Sequence, residues 1–215
     1  TKEKVSFIQN RSIELSVFLS APAAVGIIVG ANEIVSCLFG YGSFDNISIQ
    51  NTSKALVIFG FGLPAFSLLK LYSNFYFARG DTNFPFKVSV LTVVLNILIS
   101  LYFFKEYGFL SIAAGTTASC WLAVFVYKFY LKKDNFHFSD KIFIERFAKI
   151  IVCSLVMGSL LYFQFFYFQT KFVTTDFSKV IYLLFIIGNS IFVYFLMSNL
   201  FNAFSIKDFK LKNYK

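Results

Sequence analysis

The sequence predicts an all-α fold, a polytopic membrane helical bundle with six transmembrane helices, on three observations. Of its 215 residues 57% are hydrophobic and only 14% charged, outside the composition of an ordinary water-soluble domain. The apolar residues gather into six stretches, about 15–39, 55–78, 88–104, 109–131, 147–168 and 180–204. Each is near the roughly 20 residues a helix needs to cross a hydrocarbon core. The basic residues alternate between the connections, fifteen on one side against four on the other, with Lys70 left inside a stretch. The positive-inside rule then places both ends of the chain in the cytoplasm, as an even number of spans requires.

The first stretch carries Pro22 and the pair Gly26 and Gly30, whose GxxxG spacing lets two helix backbones approach closely. Glu33 stands near its outer end, where it is either an interfacial carboxylate reaching water or a cavity-lining group. A polar, glycine-bearing connection, GYGSFDNISIQNT, follows. It suits a short interfacial turn and is too short for a domain.

The second stretch holds Gly60, Gly62, Pro64 and Lys70. Pro64 offers no N–H to the carbonyl of Gly60 and its ring crowds that carbonyl, so these three residues are candidates for a kink or local unwinding. A lysine left near the bilayer centre costs roughly 2.5–3.5 kcal/mol. At 1.5 Å per residue Lys70 lies about 12 Å from Ala78 at the cytoplasmic end, which strains a snorkelling explanation. Lys70 is therefore the leading candidate for a cavity-facing cation, with Glu33 beside it as a second cavity candidate.

The third stretch is short and borrows Phe84 to Lys87; it places Asn96 and Ser100 on one helical face. The fourth offers Thr116, Thr117 and Ser119, hydroxyls expected to bond across helices. The segment Lys128 to Lys149 mixes both charges and is read as a loop, with a short amphipathic piece lying against anionic lipid headgroups. In the fifth stretch Tyr162, Phe163, Phe165, Phe166, Tyr167 and Phe168 form an aromatic belt at the outer interface, and the chain closes on a basic tail.

Several functional classes are excluded. A formal charge of +9 follows the loop topology and forms no separate basic patch, so nucleic acid is not a partner. Cys37, Cys120 and Cys153 are isolated in or beside apolar stretches, His137 stands alone in a charged segment, and no metal-ligand spacing occurs. With no nucleophile, histidine and acid set and no phosphate-cradling glycine loop, the chain does not read as an enzyme. It opens on TKEKVSFIQNRS, with neither an initiator methionine nor a signal peptide, and reads as an internal cut from a longer chain.

Three motifs carry a family resemblance. The run LLKLYSNFYFARGDTNFPFK, with Lys70, Phe77, Ala78, Asp81, Thr82, Pro85 and Lys87, resembles the junction of the tenth and eleventh helices of MurJ/MviN-type lipid II flippases. LFGYGSFD, from Leu38 to Asp45, is similar to the element after that family's ninth helix, and GFLSIAAGTTAS, from Gly108 to Ser119, to its small-residue twelfth. The resemblance spans the chain but only the last six of the family's fourteen helices.

It implies one lobe, 1–215, of a two-lobed alternating-access transporter in the MOP/MATE-like superfamily, placed in the bacterial inner membrane. The implied substrate is lipid II, an undecaprenyl-pyrophosphate-linked sugar-peptide. The implied partners are membrane lipids and a missing N-terminal lobe that carries the principal headgroup arginines. The family's last helix pair forms a side groove for the polyprenyl tail. No cofactor is implied beyond coupling to sodium or to the membrane potential. Asn96 and Thr116 resemble cation-site positions, and Ser100 stands where the family pattern can have a carboxylate. The rival readings are another transporter of the superfamily, carrying polysaccharide lipids or drugs and cations, and a non-transporting membrane scaffold.

Overall fold

A computed structural model describes residues 2–133, 141–168 and 176–203. His137, the middle of the expected amphipathic piece and the basic tail lie outside the described residues. The described chain forms six helices: α1 (Lys2–Phe39), α2 (Asn46–Phe77), α3 (Asn83–Tyr107), α4 (Leu110–Lys133), α5 (Lys141–Phe168) and α6 (Asp176–Leu200). Each is long and apolar enough to cross a membrane.

The helices overrun the apolar stretches. Helix α1 begins well before Leu15, and polar residues of this extension pack into the bundle: Gln9, Asn10 and Glu14 are all less than one-tenth exposed. Most of the segment 128–149 is helical rather than loop, since α4 continues to Lys133 and α5 starts at Lys141. The physical reason is packing, for Tyr127, Leu131 and Ile150 are completely buried. Helix α3 takes in Phe84 to Lys87, as expected, and also runs on to Tyr107.

The central helix is α1, which packs against α2, α5 and α6; α4 lies on α2, and α3 rests chiefly on α4. The α5–α6 hairpin reaches the rest of the lobe chiefly through α1. A larger core toward the end of the bundle that holds the start of α1 joins Val17, Leu68, Tyr72, Tyr127, Ile150 and their neighbours. A smaller one, with Cys37, Leu161, Phe165 and Ile186, closes the opposite end between α1, α5 and α6.

The connections explain two of the sequence motifs. After α1, Gly42 takes a positive φ of 62° and Asp45 caps α2, its carboxylate accepting from the backbone N–H of Ser48 at 2.8 Å. The Ser48 hydroxyl and then that N–H hold the Asp45 carboxyl below the ordinary carboxylate range. After α2, Gly80 turns the chain at φ 78°, and Asp81 accepts from the N–H of Phe84 at 3.1 Å in the first turn of α3. Phe84 then seats its ring on Tyr76 and Tyr130, at centroid distances of 4.6 and 4.8 Å. The two aspartates of the recognised motifs thus act as helix-starting acceptors for otherwise unpaired N–H groups.

Candidate functional site

Helix α2 runs unbroken from Asn46 to Phe77 through Gly60, Gly62 and Pro64, so the expected unwinding is absent. The glycines serve close approach instead. A Cβ on Gly60 would lie 2.8 Å from Ile28 of α1, and one on Gly62 would lie 2.9 Å from the Thr117 hydroxyl of α4. Thr117 donates to the carbonyl of Ile58 at 3.0 Å, and the Trp121 indole N–H donates to that of Phe61, also at 3.0 Å. The segment expected to kink or unwind is gripped from two sides.

Lys70 is exposed on the surface of the lobe, and no hydrogen bond or ion pair engages it among the described residues. It shares a stripe at helical spacing with Phe59, Leu63, Asn74 and Phe77, directed away from the α1 and α4 contacts. Glu33 is half-buried near the C-terminal end of α1. The antiparallel pairing, marked by Ser53 donating to the carbonyl of Ala31 and by Gly60 on Ile28, sets Glu33 near the start of α2. Lys70 lies toward the other end, so the structure does not bring these two candidates together.

Asn96, Ser100 and Thr116 do come together, at the seam of α3 and α4. The Asn96 amide donates to the Thr116 hydroxyl at 3.2 Å, and the Ser100 hydroxyl donates to Asn96 Oδ1 at 3.0 Å. Thr116 donates in turn to the carbonyl of Ile112 at 2.8 Å. Gly115 lets this happen, because a Cβ there would collide with Ser100 and lie 2.8 Å from Asn96 Oδ1. Three neutral oxygens, each engaged in the seam and with no carboxylate among them, fit a clasp between helices better than a cage for a monovalent cation.

An apolar groove of about 420 Å³ runs between α1 and the α5–α6 hairpin. Leu19, Pro22, Gly26 and Ile27 line it from α1, Met157 and Leu161 from α5, and Ile187, Ile191 and Phe195 from α6. Gly26 forms the floor: a Cβ there would meet nothing within 4 Å, so half of the GxxxG pair faces open space. At Gly30, the other half, a Cβ would lie 3.0 Å from the ring of Phe165. Phe165 is therefore buried at 6% exposure, while Tyr162, Phe163, Phe166 and Tyr167 point outward as a belt would. Beside the groove Tyr194 of α6 donates to the carbonyl of Phe18 at 2.7 Å.

Sequence reasoning missed the buried Glu14. Its carboxylate is 4% exposed, accepts from Arg11 one turn back, and lies 3.5 Å from the Arg146 guanidinium of α5. The i,i+3 spacing of Arg11 and Glu14 was legible. The third member lies 132 positions away and carries no local signal.

Comparison with known proteins agrees with this architecture. The family model described as "Lipid II flippase MurJ" matches residues 1–183. A probable lipid II flippase MurJ from Rickettsia prowazekii is 31% identical over 157 residues, which cover 72% of this chain and 30% of that protein. A second, from Buchnera aphidicola subsp. Schizaphis graminum, is 29% identical and covers 90% of this chain and 38% of its own length. A solved structure, "Lipid II flippase MurJ, inward closed conformation", superposes with a TM-score of 0.72 at 26% identity, covering 90% of this chain and 38% of that one. The chain spans about a third of the length of these relatives. On the family match and the six apolar helices together, the chain is a multi-pass membrane protein that belongs to the lipid II flippase MurJ family.

Proposed function

We propose that this chain is the C-terminal lobe of a lipid II flippase of the bacterial inner membrane, with both of its ends on the cytoplasmic side. The observation that carries the reading is the apolar groove between α1 and α5–α6. Moving an anionic sugar-pyrophosphate across hydrocarbon while its isoprenoid tail stays in lipid needs two surfaces: a polar path between lobes for the headgroup and an apolar channel at the side for the tail. The groove supplies the second. The outward stripe with Lys70 and Asn74 supplies part of the first, where a lysine acts as a point charge toward phosphate or a peptide carboxylate. Alternating access then requires this lobe to rock against a partner lobe about the headgroup.

This reading gives sodium no site at Asn96, Ser100 and Thr116, because their side-chain oxygens take part in hydrogen bonds of the α3–α4 seam and none carries a charge. A non-transporting scaffold would have no use for an apolar channel of this size.

The floor of the groove offers the test. Gly26→Phe would project a ring into open space without a collision at its Cβ. In the full-length protein it is expected to abolish complementation of a flippase-depleted strain at normal membrane abundance, whereas Gly26→Ala retains it. Full activity of Gly26→Phe would remove the groove from the transport path.

A further inference from the structure

The α5–α6 hairpin is joined to the rest of the lobe chiefly through α1, and the groove lies along that junction. Apolar packing of Ile150, Cys153 and Met157 against the main core holds the hairpin, and several contacts with α1 can be placed along its length. Midway, Tyr194 bonds to the Phe18 carbonyl. Toward the outer side Gly158 of α5 abuts Val25 and Phe165 abuts Gly30, contacts with no directional bond. At the inner end the attachment is ionic, Glu14 of α1 against Arg146 of α5. Arg146 lies on the α5 stripe that continues through Ile150, Met157, Leu161 and Phe165, so it terminates the face that walls the groove.

We propose that Glu14 and Arg146 are positioning residues that set the width of the groove, and that the α5–α6 hairpin turns on α1 as a unit when this pair loosens. Three features of the pair support this. It joins α1 to α5, two of the three helices that line the channel. Its carboxylate is buried at 4% exposure, where an ionic contact is directional and is not dissipated in water. Arg11 holds Glu14 from its own helix, so the carboxylate stays in place on α1 while α5 departs. Widening at the inner end would admit an isoprenoid chain sideways from the bilayer. That entry route rests on the lipid-tail reading above; the movement of the hairpin does not.

Pulsed EPR on the full-length protein in lipid nanodiscs tests the movement without substrate. Nitroxides at Asn74 of α2 and Asn199 of α6, both exposed near the inner ends of their helices, report the distance from body to hairpin. Arg146→Gln is expected to lengthen or broaden the distribution by on the order of 2 Å or more. Arg146→Lys, which keeps the charge, should restore most of the native distribution. A cysteine pair, Val25→Cys with Gly158→Cys, joins residues in contact across the junction; it should narrow the distribution when oxidised and release it when reduced.

An unchanged distribution in Arg146→Gln, or no difference between the oxidised and reduced clamp, overturns the proposal. If Arg146→Gln cannot be recovered from membranes, the clamp in the otherwise native protein decides. Failure here leaves the transport reading standing, and failure of the Gly26→Phe test leaves the hairpin movement standing.

Discussion

Lys70 shows how far a single residue can be read. Its cost in hydrocarbon marks it in the sequence, and the structure leaves it on the open side of α2 with Asn74 one turn away. If it meets an anionic headgroup between lobes, Lys70→Ala removes a charge-assisted hydrogen bond worth about 1.5–3 kcal/mol. That corresponds to a roughly ten- to hundredfold loss of flipping rate. Lys70→Arg should retain part of the activity, and abundance should change little in either. A lysine that merely faces lipid predicts the opposite pattern, with Lys70→Leu raising abundance and sparing transport. Complementation assays with quantified membrane levels separate the two. Glu14 is the converse case: flanking polar residues hide it in the sequence, and only its burial beside Arg146 makes it conspicuous.

At the scale of elements, the glycines report packing more than flexibility. Gly60, Gly62 and Gly115 each lie where a methyl group would strike a neighbouring helix, whereas Gly26 faces empty space. Overpacking costs typically about 1–3 kcal/mol. Gly115→Ala should therefore lower the thermal stability of the protein in detergent by an amount of that order, and Gly26→Ala should leave it unchanged.

The cap at Asp45 gives a second expectation. Its carboxyl is held below its ordinary value in the folded protein, so its stabilising effect is present above the unfolded-state pKa and is lost as pH falls through the lowered folded-state value. Asp45→Ala should accordingly speed hydrogen exchange at the Ser48 amide at neutral pH, and this difference from the native protein should vanish at strongly acidic pH.

For the whole molecule, the distribution of basic residues predicts its orientation. Cysteine at Ser43 should react with an impermeant thiol reagent applied to intact cells, and cysteine at Asn83 should not. Labelling of Asn83 alone would invert the lobe. Because the chain spans about a third of its relatives, residues 1–215 alone are expected not to move lipid II in proteoliposomes. Activity above protein-free vesicles would show that one lobe suffices.

The six apolar helices and the family were legible because bilayer thickness and three local motifs act along the chain and need no knowledge of which helices touch. Even Asp45 and Asp81 belong to this class, since a cap reaches only three residues onward. Other features depended on neighbours that periodicity does not name. The continuity of α2 through Pro64 follows from α1 and α4 pressing on Gly60 and Gly62, the inward turn of Phe165 from the missing side chain at Gly30, and the burial of Glu14 from an arginine on another helix. A helix that is apolar all round gives no sign of which face meets lipid and which meets protein, because both surroundings are equally free of water. Close packing and polar contacts make that choice in the folded lobe.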